Sequence, residues 1–248
     1  MPRTAVISGG GTGIGYAVAE RFVAAGDRVV ITGRREDVLR ASAEQLGDGA
    51  AYIAADLREP EGGRRVADFL TDQYGGVDIV AACAGGNIEL QEPERSEEGL
   101  EGASWTWTEN LRLNVMTAVH LVEAVKPVVA DGGRILLFSS IAAYRGSGTG
   151  SYGASKAALH PYAIDLSAQL GSRGVTVNAI APGYIEATEF FADRMTEQRR
   201  QTVIAQTHDK RAGTPADVAE LAFWLAEPGA GHVTAQIVQV NGGALPGR

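Results

Sequence analysis

Cysteine is almost missing from this chain: Cys83 is the only one in 248 residues. A single thiol excludes a disulfide framework, a thiolate zinc site and an iron–sulfur cluster. The four histidines, His120, His160, His208 and His232, stand far apart and form no HExxH pattern, so no protein-bound metal is expected. Aromatic residues are only 6% of the chain, too few for the stacking surface of a carbohydrate or single-strand binder. No apolar run approaches the roughly 20 residues that cross a bilayer. Met1-Pro2-Arg3 leads into Thr4-Ala5-Val6-Ile7-Ser8 without the pattern of a secretory leader. Basic charge is also short: 22 Lys and Arg face 30 Asp and Glu, a net charge of -8. That surface repels a phosphate backbone, so no nucleic-acid partner and no membrane are expected, and the location expected is the cytoplasm.

What the chain does have is glycine, 32 of them, and a strict rhythm. Short apolar runs alternate with longer segments of helical period. Strands are predicted at 4–8, 28–32, 50–55, 77–82, 133–139, 175–180 and 236–240. Helices are predicted at 13–25, 36–46, 61–74, about 105–130, 151–170 and 215–226. Runs such as Val77-Asp78-Ile79-Val80 and Arg134-Ile135-Leu136-Leu137-Phe138 are nearly continuously apolar, as in strands buried on both faces of a parallel sheet. Unbroken β–α alternation predicts a doubly wound α/β fold in three layers, one domain over residues 1–248. Two segments break the rhythm after strand ends: the acidic 86–108, with Glu89, Glu92, Glu94, Glu97, Glu98 and Glu101, and 186–207, with Phe190-Phe191 and Arg199-Arg200. Ligands bind at that end of an open α/β sheet, so both are candidate substrate lids or plain solvated surface.

Three motifs carry chemistry. Ser8-Gly9-Gly10-Gly11-Thr12-Gly13-Ile14-Gly15 falls between the first strand and first helix. A glycine turn there offers unpaired N–H groups and a positive helix end to a pyrophosphate. No Gly-Lys-Ser/Thr follows, so it is not a P-loop. The second strand ends in Thr32-Gly33-Arg34-Arg35, where a carboxylate would grip the ribose hydroxyls of NAD. Guanidinium groups instead pair with a 2′-phosphate, which favours NADP(H), with NAD(H) possible. Tyr152 and Lys156 are one helical turn apart in Ser151-Tyr152-Gly153-Ala154-Ser155-Lys156 and share a face. An ammonium beside a phenol stabilises phenolate and draws the phenol toward acid–base work. Ser139-Ser140 closes the fifth strand at the same end of the sheet.

Together these residues resemble the short-chain dehydrogenase/reductase family, in particular its members like 3-oxoacyl-carrier-protein reductase, over essentially the whole chain. The resemblance extends to Asp56-Leu57, Ala82-Cys83-Ala84-Gly85, Leu113-Asn114-Val115 and Ser139-Ser140-Ile141-Ala142. Val175-Thr176-Val177-Asn178, Pro182-Gly183-Tyr184-Ile185 and Gln239-Val240-Asn241-Gly242-Gly243 complete it. It implies a Rossmann-type sheet and hydride transfer between nicotinamide and a carbonyl or alcohol, a ketone or 3-oxoacyl compound. The roles it implies are Tyr152 as general acid, Ser140 holding the carbonyl oxygen, Lys156 on the nicotinamide ribose and Asn114 positioning a relay water. It further implies cofactor contacts at Gly9, Gly11, Thr12, Gly13, Ile14 and Gly15, at Arg34 and Arg35, and at Asp56 on the adenine with Leu57 nearby. Ala84, Gly85, Pro182, Gly183, Ile185 and Thr188 would flank the dinucleotide. A homotetramer is the implied assembly, with a homodimer as the other option, and His160, Tyr162 and Ala163 on a packing helix.

Departures from the family pattern bear on the expectation. Ala82-Cys83 stands where two asparagines are usual, and Cys83 reads as a small buried filler. The segment from Ser140 to Tyr152 is about one residue short. Counting back from Tyr152 selects Ser139, while the strand-end motif selects Ser140, the preferred choice because strand position fixes direction. The segment 86–108 is longer than usual, which reshapes the substrate entrance. The alternatives are an NAD-dependent alcohol, sugar or steroid dehydrogenase and a catalytically silent dinucleotide binder. A methyltransferase would need an acid where Gly33-Arg34 stands, and a serine hydrolase a G-x-S-x-G elbow.

Overall fold

The computed structural model describes residues 2–95, 98–148, 150–191 and 194–246. Glu97 of the acidic segment and Thr149 of the glycine-rich loop lie outside the described residues. Seven strands form one parallel sheet: β1 Thr4–Ser8, β2 Arg28–Gly33, β3 Ala50–Ala54, β4 Val77–Ala82, β5 Val129–Phe138, β6 Thr176–Pro182 and β7 Ile237–Val240. Their order is β3-β2-β1-β4-β5-β6-β7. The chain winds outward through β2 and β3, then returns to the other side of β1 with β4. That reversal opens a crevice between the ends of β1 and β4, where doubly wound sheets bind ligands. Ser8 sits opposite both Thr32 and Ala82, and its hydroxyl accepts a hydrogen bond from the Ala84 amide at 3.0 Å.

Alternate residues of each strand feed two cores. Val6, Val30 and Ile135 face α3 (Pro60–Tyr74), α6 (Thr117–Val125) and α9 (Leu159–Leu170), meeting Leu70, Leu121 and Leu166. Ile7, Ile31 and Leu136 face α1 (Gly13–Ala24), α2 (Glu36–Leu46) and α11 (Pro215–Ala226), meeting Phe22, Leu39 and Leu225. Both faces of the sheet are therefore apolar, which is why the strand sequences lack a polar alternate.

Several predicted elements differ in detail. The acidic segment is largely helical: α4 (Ile88–Gln91), a 3₁₀ turn at Pro93–Arg95, then α5 (Gly99–Leu111). Glu94 and Glu101 are exposed positions on these turns, which hides the helical period behind polar residues. The helix predicted at about 105–130 is interrupted by a π-helical turn at Arg112–Met116 and gives way to 3₁₀ at Lys126–Val128, ahead of β5. The helix predicted at 151–170 is two, α8 (Ser151–Ala157) and α9, because Pro161 has no N–H for the Ala157 carbonyl. After the fifth strand comes α7 (Ala142–Arg145), and α10 (Glu197–Ala205) lies in the second irregular segment.

Candidate active site

A cleft of about 1130 Å³ opens along the C-terminal ends of the strands, enough for a dinucleotide and a small substrate. It is lined by nearly every residue singled out from the sequence: Gly9, Gly11 to Gly15, Arg34, Arg35, Asp56, Leu57, Ala84, Gly85, Ser140, Tyr152, Lys156, Pro182, Gly183, Ile185 and Thr188. Asn114 stands behind this wall, 1% exposed.

The glycine turn is shaped by close approach. Gly9 has φ of +66°, and a side chain there would put Cβ 3.1 Å from the Ala84 amide nitrogen. Thr12 caps α1 in extended backbone without a side-chain cap bond, so the first N–H groups of α1 are left for a ligand in the cleft. These features fit a pyrophosphate, and no carboxylate belongs to the turn itself.

At the adenosine end, Arg34 and Arg35 are joined by Arg58, which the sequence reading passed over. Arg58 grips Asp56 through Nε to Oδ1 at 3.0 Å and Nη2 to Oδ2 at 2.6 Å, and its amide donates to Oδ1 at 3.0 Å. That fork holds the Asp56 carboxyl below its ordinary range. Arg35 is not free either: its Nη2 donates to Glu189 Oε2 at 2.9 Å, and the Thr12 hydroxyl reaches the same oxygen at 3.5 Å. Glu189 belongs to the segment leaving β6, so this segment straps across the cleft from one side of the switch point to the other. Thr188 lies under it, beside Gly13.

At the other end, Tyr152 is buried beside the Ser140 side chain. Burial pushes the phenol up to about 12, with the Ser140 side chain opposing. Lys156 donates from Nζ to the Phe138 carbonyl at 2.9 Å, and burial draws it down to about 8. The lysine is thus not what sets the phenol in the chain alone; desolvation keeps Tyr152 protonated, the state that can donate. Gly85 is the lid over Lys156: a Cβ there would lie 2.8 Å from Nζ and 2.6 Å from Asn114 Oδ1.

The structure separates the two serines. Ser140 Oγ turns to Tyr152 and accepts from the Ala142 amide at 3.1 Å. Ser139 donates to the Lys156 carbonyl at 3.0 Å and meets His160 Nε2 at 2.7 Å. With the serine proton spent on that carbonyl, His160 must donate. His160, half-buried on α9, braces the residue that follows β5. Cys83, expected as buried filler, is half-buried and lines the cleft, its thiol pushed up by burial.

Asn114 is held by three side-chain bonds. Its Oδ1 accepts from the Gly86 amide at 3.0 Å, and its Nδ2 donates to the Gly86 and Asn110 carbonyls at 2.8 and 3.0 Å. All its side-chain bonds go to backbone, so it fastens the loop after β4. One turn earlier, Asn110 is fully buried and does a parallel job: Oδ1 accepts from the Ile88 amide at 3.1 Å and Nδ2 donates to Ser151 Oγ at 2.9 Å. Asn110 therefore joins α4, α5 and the residue before Tyr152. The polar pair at i and i+4 was visible in the sequence; its buried setting was not.

The substrate half is aromatic and apolar. Phe190 packs on Tyr152 at 5.5 Å between ring centroids, and Phe191 on Tyr184 at 5.7 Å. Leu90, Ile141, Met195 and Val203 add to this wall. Among the described residues, no group of His, Cys, Asp and Glu could hold a metal, and no helix is long and apolar enough to cross a membrane.

Comparison with known proteins places this arrangement. The family model described as enoyl-(acyl carrier protein) reductase matches residues 9–244. A 3-oxoacyl-(acyl-carrier-protein) reductase of Vibrio cholerae is 30% identical, over 97% of this chain and 96% of its own. A crystal structure described as a short-chain dehydrogenase/reductase, glucose/ribitol dehydrogenase, from Brucella melitensis superposes with a TM-score of 0.89 at 30% identity. It covers 99% of this chain and 97% of that one. A blue fluorescent protein from a metagenomic library, solved with NADPH, has a TM-score of 0.85 at 28% identity, covering 98% of each chain. The shared sheet order and whole-length matches leave one conclusion: the chain belongs to the short-chain dehydrogenase/reductase family, oxidoreductases that act on CH–OH and keto groups with a nicotinamide cofactor.

Proposed function

We propose that the chain is an NADPH-dependent carbonyl reductase with Tyr152, Ser140 and Lys156 as its catalytic residues. The observation that carries this reading is the buried Tyr152 beside Ser140, in one cleft with Lys156 and the glycine turn. When bound, the reduced nicotinamide supplies the hydride and is left oxidised. Tyr152 gives its proton to the carbonyl oxygen as the carbon receives that hydride, so ketone becomes alcohol and the phenol becomes phenolate. Ser140 Oγ accepts from the Ala142 amide, which leaves its own proton for the same oxygen, a preorganised donor where charge develops. Lys156 spends one of three protons on Phe138, leaving two for a ribose hydroxyl and the phenolate. Asn114, which fastens the loop over Lys156, would position the relay water, while Asn110 positions the wall rather than the reacting atoms. Phe190 and Phe191 exclude water from the phenol.

Arg34, Arg35 and Arg58 support NADP over NAD, because all three line the adenosine end of the cleft and guanidinium pairs with a 2′-phosphate. Titration with NADPH and NADH tests this: NADPH should bind at least about tenfold more tightly, the worth of one charge-assisted fork. Ketone-dependent loss of NADPH absorbance tests the reaction. Tyr152→Phe should retain NADPH binding and lose turnover; equal turnover in that variant removes the assigned acid. A homotetramer in the cytoplasm completes the proposal. Trp107, Leu111, Ile164 and Trp224 are 40–52% exposed, apolar area suited to contacts between copies, and sedimentation measures the assembly.

A further inference from the structure

The charges lining the cleft are unevenly paired. Six are cationic, Arg34, Arg35, Arg58, Arg145, Lys156 and Arg199, against Asp56 and Glu189, in a chain whose net charge is -8. Both carboxylates are taken up at the adenosine end, Asp56 by Arg58 and Glu189 by Arg35. Arg145 and Arg199 lie in the other half, with Phe190, Met195 and Val203, and no acid lines that half.

The elements explain why both arginines line that half. Arg145 ends α7, directly after the strand end that carries Ser140, and its Nη1 donates to the neutral Gln206 Oε1 at 2.8 Å. Arg199, Val203 and Gln206 recur along α10 at helical spacing and form its cleft-facing stripe. Arg200, one position on, turns away to Glu186 at 2.9 Å. Arg199 has no side-chain hydrogen bond or ion pair among the described residues. None of the residues of α10 is buried, so this helix covers the cleft without a core of its own to pack on.

We propose that Arg145 and Arg199 form an anion site, and that the substrate is a ketone with an apolar body and a carboxylate or phosphate remote from the reacting carbonyl. The aromatic wall takes the body beside Tyr152, and the two guanidinium groups take the anionic oxygens at the outer lip. Guanidinium presents planar paired donors to such oxygens. This inference rests on the carbonyl reductase reading and deepens it.

The test compares matched pairs with NADPH. One set is methyl-ketone carboxylates of increasing chain length against their methyl esters. The other is acetoacetyl-coenzyme A against the N-acetylcysteamine thioester of the same acyl group, which lacks phosphate. The anionic member of at least one set should show about tenfold or greater kcat/KM, chiefly through KM. That ratio should fall toward one in Arg199→Gln and Arg145→Gln, and as salt is raised. Preference within the first set identifies a carboxylate, within the second a phosphate. Equal kcat/KM within both sets, or a ratio left intact by both substitutions, overturns the anion site while the reductase reading stands. No NADPH oxidation with any member, nor with a wider set of neutral ketones, overturns both.

Discussion

Asn110→Leu isolates a residue that touches no ligand yet governs where the acid sits. The substitution is close to volume-conserving at a fully buried position. It removes the acceptor of the Ile88 amide and the donor to Ser151 Oγ. A buried amide without its partner costs about 1–3 kcal/mol, and a lost side-chain bond about 1 kcal/mol more. Apolar burial by the leucine offsets part of this, leaving about 2–3 kcal/mol. For a chain of 248 residues that lowers Tm by about 4–12 °C. Ser151 opens α8 with Gly150 as a cap that makes no side-chain bond, so losing Asn110 loosens the turn that carries Tyr152. A misplacement of about 1 Å at the acid costs about a hundredfold in rate. The assays are thermal unfolding by circular dichroism and kcat with KM for one accepted ketone. Glu101→Gln on the exposed face of α5 is the control. A Tm within about 1 °C of wild type, or an unchanged kcat, would refute the reasoning.

Three further outcomes follow from the same geometry. Ser140→Ala should lower kcat by about a hundredfold or more with NADPH binding retained, whereas Ser139→Ala should chiefly lower Tm, because its bonds go to the Lys156 carbonyl and His160; the reverse pattern would exchange their roles. Lys156 falls from 10.5 in the unfolded chain to about 8 when folded, so the unfolded state binds more protons between these values. Stability should therefore rise with pH across that window, a cost present below about 8 and relieved above it, and Lys156→Met should lack this rise in denaturant titrations at stepped pH. Glu189→Gln frees Arg35 from an exposed ion pair worth at most about 1 kcal/mol. NADPH should bind up to about fivefold more tightly in this variant, with NADH little changed; equal gains for both would show that Glu189 acts on the shared pyrophosphate region instead.

The cleft was legible in the sequence because its motifs are local. A glycine turn before a helix, a tyrosine and lysine one turn apart and a serine at a strand end each keep their geometry without distant help. The β–α rhythm of apolar runs was enough for the sheet, since strands buried on both faces leave no polar alternate. Polar pairs bridging distant segments were not legible. Arg35 meets Glu189 from 154 residues away, Asn110 meets Ser151 across 41, and Arg145 meets Gln206 across 61. No periodicity encodes such pairings, because they depend on which loop ends the sheet order brings together. The choice between Ser139 and Ser140 was of the same kind: the two follow directly on β5, and only packing against α8 and α9 decides which faces the phenol. Nor could the sequence give the state of Tyr152, since burial and the Ser140 side chain act on it in opposite directions. Burial is a property of the folded whole, and here it keeps the proton on the phenol.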